Sequence, residues 1–370
     1  MRQPRATEPD LIPRSDRGFS LIELLTVILI IFVVLALVIP ALDGARNVAR
    51  TAATQSVMKG FGNAVDQFRQ DHAEAVPGIY SPERMGDPEN ADRYGFTAME
   101  NVLLDLAGGV QSFASNPPEP WEDFGPDAAA HADELYVNPD LIGAQIDSNP
   151  GYWTPPERFT EIQERGPSPS QQFSTETDDA EIIDVIDAWG NPMMLWVDNP
   201  LGPQEIDEIE SFAEIDNTNG PSRFYWASNA GHLKATALGR GGEDQTVNNA
   251  RPFSLLGDGN SDAELRRTMT AVLGSPAFPA ASVDLQNPTR NDQFLPGDAR
   301  GSLFMHSAGI DGVYLGSRDQ VARQFDAASG GLPYWANFFS TGGTRWARDG
   351  SPTTRDVLEG FDDMVQTFGD

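Results

Sequence analysis

Nearly every position from 19 to 42 is apolar: FSLIELLTVILIIFVVLALVIPAL. A membrane-spanning helix needs about 20 such residues, whereas the apolar core of a secretory signal runs to about 7–15 and ends at a small-residue cleavage site. This run is too long for a signal core, and no A-x-A-like site follows it. The pattern then changes. Leu42, Ala45, Ala49, Ala52, Phe61, Val65 and Phe68 keep an approximate three-to-four spacing, with Arg46, Arg50, Gln55, Lys59, Asp66 and Arg69 between them. That spacing puts the apolar residues on one helical stripe able to seat a globular domain. One helix is predicted from residue 19 to about residue 71, on the order of 80 Å long at about 1.5 Å per residue. Pro40 is expected to kink it or melt it locally, because proline removes one backbone bond and crowds the preceding turn. Gly44, Gly60 and Gly62 are each expected to weaken it by roughly 1 kcal/mol relative to alanine.

Past His72 the helical pattern breaks at Pro77-Gly78, and residues 73–95 read as a loop. TAMENVLLDLA (97–107) predicts a short amphipathic helix ended by Gly108-Gly109. Two proline- and acid-rich runs, 115–127 and 164–181, read as surface loops, with Trp121 and Trp153 packed on the body. DAWGNPMMLWV (187–197) predicts a tight turn followed by an apolar strand over 193–197. Further strands are predicted at 222–228, with a turn at 229–231, and at 302–307. The fold class is α+β: a long amino-terminal helix and a head with a small antiparallel sheet.

Charge narrows the function classes. The chain holds 55 acidic against 25 basic residues, a net charge of -30. A nucleic-acid binder needs basic residues to displace counterions from phosphates, so nucleic acid is not an expected partner. Most of these carboxylates are read as solvated surface. There is no cysteine, which removes disulfides, thiolate metal sites and a cysteine nucleophile. His72, His131, His232 and His306 lack zinc-site spacing and are read as surface or core residues. No G-x-S-x-G, Walker loop or H-E-x-x-H occurs, so no enzyme activity is expected.

The apolar run contains one anomaly, Glu23. A carboxylate inside a spanning helix costs about 2.5–3.5 kcal/mol on insertion scales, and its default reading is functional. No basic residue lies between 19 and 42, so the partner comes from elsewhere. A free α-amino group at Phe19 has the right charge and depth, but exists only if the chain is cut after Gly18. Arg14 and Arg17 before the run put the amino terminus in the cytoplasm and the body outside, while Arg46, Arg50 and Lys59 oppose that signal.

The stretch Arg17-Gly18-Phe19-Ser20-Leu21-Ile22-Glu23-Leu24-Leu25 resembles the processing site of type IV pilins and type II secretion pseudopilins. The resemblance implies cleavage after Gly18 by prepilin peptidase, methylation of Phe19, and a role for Glu23 in docking subunits. It also implies a pilin-like fold, other pilin or pseudopilin subunits as partners, an inner-membrane assembly platform, and a head outside the cytoplasm. The implied organisation is a leader (1–18), a transmembrane and assembly helix (19–42), its amphipathic continuation (43–72), a loop-rich insertion with a short helix (73–180) and a sheet-containing head (181–370). The implied function is a structural subunit of a type II secretion pseudopilus or type IV pilus-like fibre. The chain is larger than a typical major subunit, which favours a minor or specialised role. The alternative is an extracytoplasmic ligand-binding or enzymatic domain on a pilin-type anchor.

Two further stretches resemble the same family. Asp187-Ala-Trp-Gly-Asn-Pro192 is similar to a structural turn before the first sheet strand of major pseudopilins. Ser307-Ala-Gly-Ile-Asp-Gly312 is similar to a loop that contributes to their calcium site. Calcium takes six to eight oxygens in a bent loop. The implied ligand is Asp311, with Asp362 and Asp363 returning to it across an insertion, or Asp319 standing in for them. The bland reading is a glycine-rich hairpin with a solvent-facing aspartate. Asp258-Gly-Asn260-Ser-Asp262 begins like another calcium loop, but Ala263 and Met269 stand where a glycine and a bidentate acid belong, so it is read as a turn.

Overall fold

The computed structural model describes residues 20–88, 96–113, 122–123, 134–138, 151–161, 183–234, 254–257, 260–276, 295–319, 331–332 and 356–369. The chain divides into two compact units, residues 1–49 and 50–370. The fold is α+β.

Helix α1 (Leu21–Asp71) begins in the first unit, where its side chains are exposed except for the half-buried Asn47, and is continuous through Pro40. Local melting at Pro40 does not occur: the helix runs on through it. In the second unit α1 buries Thr54, Val57, Met58, Phe61, Gly62, Ala64, Val65 and Phe68, the three-to-four stripe of a docked helix. Gly62 is a notch rather than a weakness. A Cβ there would lie 2.4 Å from the ring of Phe368. Trp153 packs edge-on against Phe61 at 5.3 Å, as expected of a pinning residue.

A short helix α2 (Pro82–Met85) precedes α3 (Ala98–Ala107). Thr97 and Glu100 close a capping box at the start of α3, and Gly108 at φ 78° ends it. Within the segment read as a loop-rich insertion, the described residues include a small antiparallel sheet. Its strands β1 (Val110–Phe113), β2 (Glu122–Asp123) and β3 (Glu134–Val137) run in the order β1-β3-β2. Most of residues 115–127 and 164–181, with Trp121 and His131, lies outside the described residues. Strands β4 (Thr160–Glu161) and β5 (Asp184–Val185) pair antiparallel.

The central sheet is antiparallel, in the order β10-β9-β6, from β6 (Met193–Val197), β9 (Leu303–Ser307) and β10 (Met364–Phe368). Trp196 stands opposite Phe304, and Met305 opposite both Leu195 and Gln366. Both faces are covered, which is why β6 and β9 read as continuous apolar runs. Met193, Leu195, Leu303 and Met305 pack on the α1 and α3 side. Met194, Trp196 and Phe304 face a second core. That core is completed by α4 (Ile209–Phe212), the parallel pair β7 (Ala213–Glu214) and β8 (Phe224–Tyr225), α5 (Ala230–Lys234) and α6 (Asp262–Leu273).

The strand expected at 222–228 is shorter than its apolar pattern. Only Phe224–Tyr225 is strand, and Trp226–Asn229 is a 3-10 turn. The Ser228 hydroxyl donates to the Tyr225 carbonyl at 2.6 Å, a local bond that competes with strand continuation. Asn229 then donates to Leu195 O at 2.8 Å, and α5 follows where a turn was expected.

Candidate functional site

Two regions carry the residues that the sequence singles out. The first is the start of α1. Gly18 and Phe19 lie outside the described residues. Ser20 and Glu23 are described, and they bond reciprocally. The Ser20 backbone N–H donates to Glu23 Oε2 at 2.9 Å, and the Glu23 N–H donates to Ser20 Oγ at 3.2 Å. This is a capping box, and the S-x-x-E spelling Ser20-Leu-Ile-Glu23 is its sequence signal. Glu23 therefore has a partner inside its own chain. A carboxylate offers about four lone-pair positions, so one bonded amide leaves room for a second donor.

The second region is the turn after β9 and the residues before β10. Asp311, Asp319 and Asp362 each bring a carboxylate oxygen to within 4.8 Å of the others. Residues 51 apart in sequence thus meet, across the insertion that separates them. Asp362 Oδ2 accepts the Ile310 and Asp311 N–H groups at 2.9 and 3.0 Å, while its buried Oδ1 has no hydrogen-bond partner. Gly309 sits at φ 70°, and a Cβ on it would lie 2.3 Å from the Asp362 carbonyl, so only glycine permits this approach.

Asp363 faces another way. Its carboxylate meets His306 Nε2 at 2.5 Å and accepts the Leu315 N–H, and neither side chain of the His306–Asp363 pair is exposed. Leu315 has φ 49°, a left-handed conformation costly for a branched residue, and Asp363 holds its amide in place. Burial pushes the Asp363 carboxyl up, and the bond to His306 opposes that. Among the aspartates that the sequence offers, Asp311, Asp319 and Asp362 come together, and Asp363 supports the loop from below.

The turn at 187–192 joins this loop. Asp187 accepts the Trp189 and Asn191 N–H groups through Oδ1 and the Ser307 hydroxyl through Oδ2. The Ser307 oxygen in turn accepts Gly309 N–H, and Asn191 donates to Gly309 O. The turn reaches α1 as well, since Ala188 N–H donates to Thr54 Oγ1 at 3.1 Å. No sequence signal showed that the two motifs touch; strand register brings them together, with Met193 opposite Ser307.

The electrostatics of the cluster suit a cation. Desolvation pushes the Asp311 carboxyl up to about 7, and the charges of Asp362, Asp319 and Asp363 add to the rise. Neighbouring negative charges disfavour the ionised form of a carboxyl. Three carboxylates, one of them with a buried oxygen that has no hydrogen-bond partner, fit a hard, oxygen-seeking ion such as calcium, with carbonyls and water completing the shell.

A third feature is a cavity of about 270 Å³ lined by residues that include Pro77, Tyr80, Met85, Asn101, Asp198 and Tyr225. Several of its polar groups are engaged within the protein. Asn101 bonds the Tyr80 backbone in both directions, and Asp198 pairs with Arg223. The turn at 258–262 is partly outside the described residues; Ser261 and Asp262 open α6 through a Ser261–Glu264 capping box, so Asp262 serves as a helix residue.

Comparison with known proteins bears on the first region. The prokaryotic N-terminal methylation motif matches residues 13–39. The chain thus carries a type IV pilin-like, prepilin-type amino-terminal segment. Such a motif marks precursors of the kind that prepilin peptidase processes, and the first half of α1 is long and apolar enough to cross a membrane. No curated protein and no solved structure matches the chain.

Proposed function

We propose that the chain is a minor or specialised pilin-like subunit of a type II secretion pseudopilus or type IV pilus-like fibre. The observation that carries this reading is the methylation motif at residues 13–39, which overlaps the first turns of α1. In this reading the leader is removed after Gly18, Phe19 is methylated, and the inner-membrane assembly platform takes up the mature chain. The amino terminus lies in the cytoplasm and the head outside it, as Arg14 and Arg17 favour. Glu23 receives the α-amino group of a neighbouring subunit, and the work is mechanical assembly. Fibres sheared from cells test this directly. The mature chain is expected in the fibre fraction, and in cells lacking prepilin peptidase the full-length precursor stays in the membrane. A processed chain that remains wholly in the membrane while fibres form without it contradicts the reading.

The Asp311–Asp319–Asp362 cluster is proposed to hold calcium as a structural ion of the head. The pH dependence has a definite sign. The folded pKa of Asp311 is raised, so its contribution favours folding below the ordinary aspartate value and is lost as pH rises through about 7. The ion-free chain should therefore melt at a higher temperature near pH 5 than near pH 8. Calcium needs ionised carboxylates, so it should raise the melting temperature more at the higher pH. The proton effect is expected to stay within about 1 kcal/mol, because Asp311 is a surface residue screened by solvent. Identical melting curves with calcium and with chelator near pH 8 would count against the ion.

A further inference from the structure

We propose that Asp71, His72 and Tyr152 form a binding site for a divalent transition-metal ion at the carboxyl end of α1, separate from the oxygen-only cluster around Asp311. The proposal does not depend on the assembly reading.

The Tyr152 phenol oxygen lies between two side chains of metal-binding type. Its hydroxyl donates to Asp71 Oδ2 at 3.1 Å, and it stands 3.2 Å from His72 Nε2. Donor atoms around a four-coordinate zinc ion, with bonds of about 2.0–2.1 Å, lie about 3.3 Å apart. The phenol oxygen is therefore already at ligand spacing from both neighbours. Asp71 and His72 are exposed and Tyr152 is half-buried, so an ion can enter and keep water on its open side. On binding, the phenol proton passes to the buffer and Nε2 offers its lone pair. Spacing among the histidines does not show this site, because the partners of His72 are its neighbour Asp71 and a tyrosine 80 positions away.

The surrounding structure holds the three groups in place. Phe68 stacks on His72 at 4.2 Å and takes Tyr152 edge-on at 5.4 Å. The Tyr152 and Trp153 N–H groups both donate to Leu106 O, at 2.6 and 3.2 Å, which seats this segment on the last turn of α3. Ala73 and Glu74, at φ 54° and 67°, stop α1 directly after His72. Two successive non-glycine residues in the left-handed region carry a backbone cost, and such costs gather at functional sites. Among the described residues the third of this kind is Leu315, beside the Asp311 cluster.

A cation suits the surroundings. The carboxyl ends of α1 and α3, which carry partial negative charge, both adjoin the site. Behind it Asp105 accepts the Gly78 N–H at 2.7 Å, and its charge acts on both His72 and Tyr152. Arg69, the basic residue in the last turn of α1, pairs with Glu74 at 3.1 Å. The donor set decides the kind of ion. One imidazole nitrogen beside carboxylate and phenol oxygens suits zinc or copper(II), whereas calcium takes oxygens.

The test uses the full-length chain in detergent, stripped of metal, saturated with calcium and titrated with zinc by calorimetry. One tight equivalent is expected. His72→Gln should weaken it by about a hundredfold or more, since even groups behind a ligand change affinity about tenfold to a hundredfold. Tyr152→Phe keeps its ring on Phe68 and should weaken zinc about tenfold, while Asp311→Asn should leave it unchanged. Copper(II) gives a second readout: a visible phenolate-to-copper charge-transfer band, present in the wild type and absent in Tyr152→Phe. Both site variants should melt like the wild type in chelator. If His72→Gln melts lower there, the copper band and its loss in Tyr152→Phe decide alone. No tight zinc equivalent, or one that survives His72→Gln in a stably folded variant, overturns the proposal. So does one lost with Asp311→Asn, which places the ion in the calcium cluster, and so does a wild-type chain that shows no copper band.

Discussion

Replacing Glu23 by leucine is expected to leave cleavage intact and to lower the fibre-incorporated fraction by about tenfold to a hundredfold. The range follows from what is lost when one partner of a desolvated charge pair is removed: the other charge stays buried without compensation. In the proposed fibre that other charge is the α-amino group of a neighbouring subunit. Glu23 also caps its own helix through Ser20, so leucine removes two functions at once. Glutamine separates them. Its side-chain oxygen still accepts the Ser20 N–H, but the negative charge is gone. Glu23→Gln should therefore keep the start of α1 and lose incorporation nearly as fully as leucine does. Incorporation at the wild-type level by the glutamine variant would show that the cap, and not the charge, is what the position provides.

The second large effect is expected at Gly62. Alanine is the better helix former by about 1 kcal/mol, so on helix propensity alone Gly62→Ala should stabilise α1. The structure reverses the sign. The new methyl group would lie 2.4 and 2.6 Å from ring atoms of Phe368, which also packs on Phe61 at 5.6 Å. Expelling a buried phenylalanine from a core costs about 3–5 kcal/mol by analogy with truncation, leaving a net loss of about 2–4 kcal/mol. Urea denaturation of the head would show it. Because the two residues share one site, Gly62→Ala and Phe368→Ala should be far from additive, the double variant being little worse than either alone. Stabilisation by Gly62→Ala would mean that Phe368 does not occupy the notch.

These two residues also show what the sequence could and could not reveal. The extent of α1, the helix at 98–107 and the strand at 193–197 were legible because each is a long or dense apolar pattern with a punctuating residue at its end. Gly62 was misread because its reason lies 306 positions away in Phe368, and no local signal carries that pairing. The strand β10 and the helix α6 were missed. The first, MVQTF, is a short pattern at the chain end, and the second was hidden behind a turn-like DGNSD, although its S-x-x-E capping signal was present. The aspartates of the loop were legible as a set, but their division was not. Strand pairing between β9 and β10 places Met364 opposite Ser307, which brings Asp363 toward the buried His306 and leaves Asp362 with Asp311 and Asp319. The two aspartates lie just before β10, where one bonds the 310–311 amides and the other His306 and the Leu315 amide.

The central claim is that this chain is made as a prepilin and matured at Gly18-Phe19. Intact-mass and amino-terminal peptide mass spectrometry of the protein isolated from its native membrane tests that claim most directly. The account predicts loss of residues 1–18 and an amino terminus of N-methylated Phe19. Retention of Met1 in the mature protein, or an unmethylated terminus at any other residue, would contradict it.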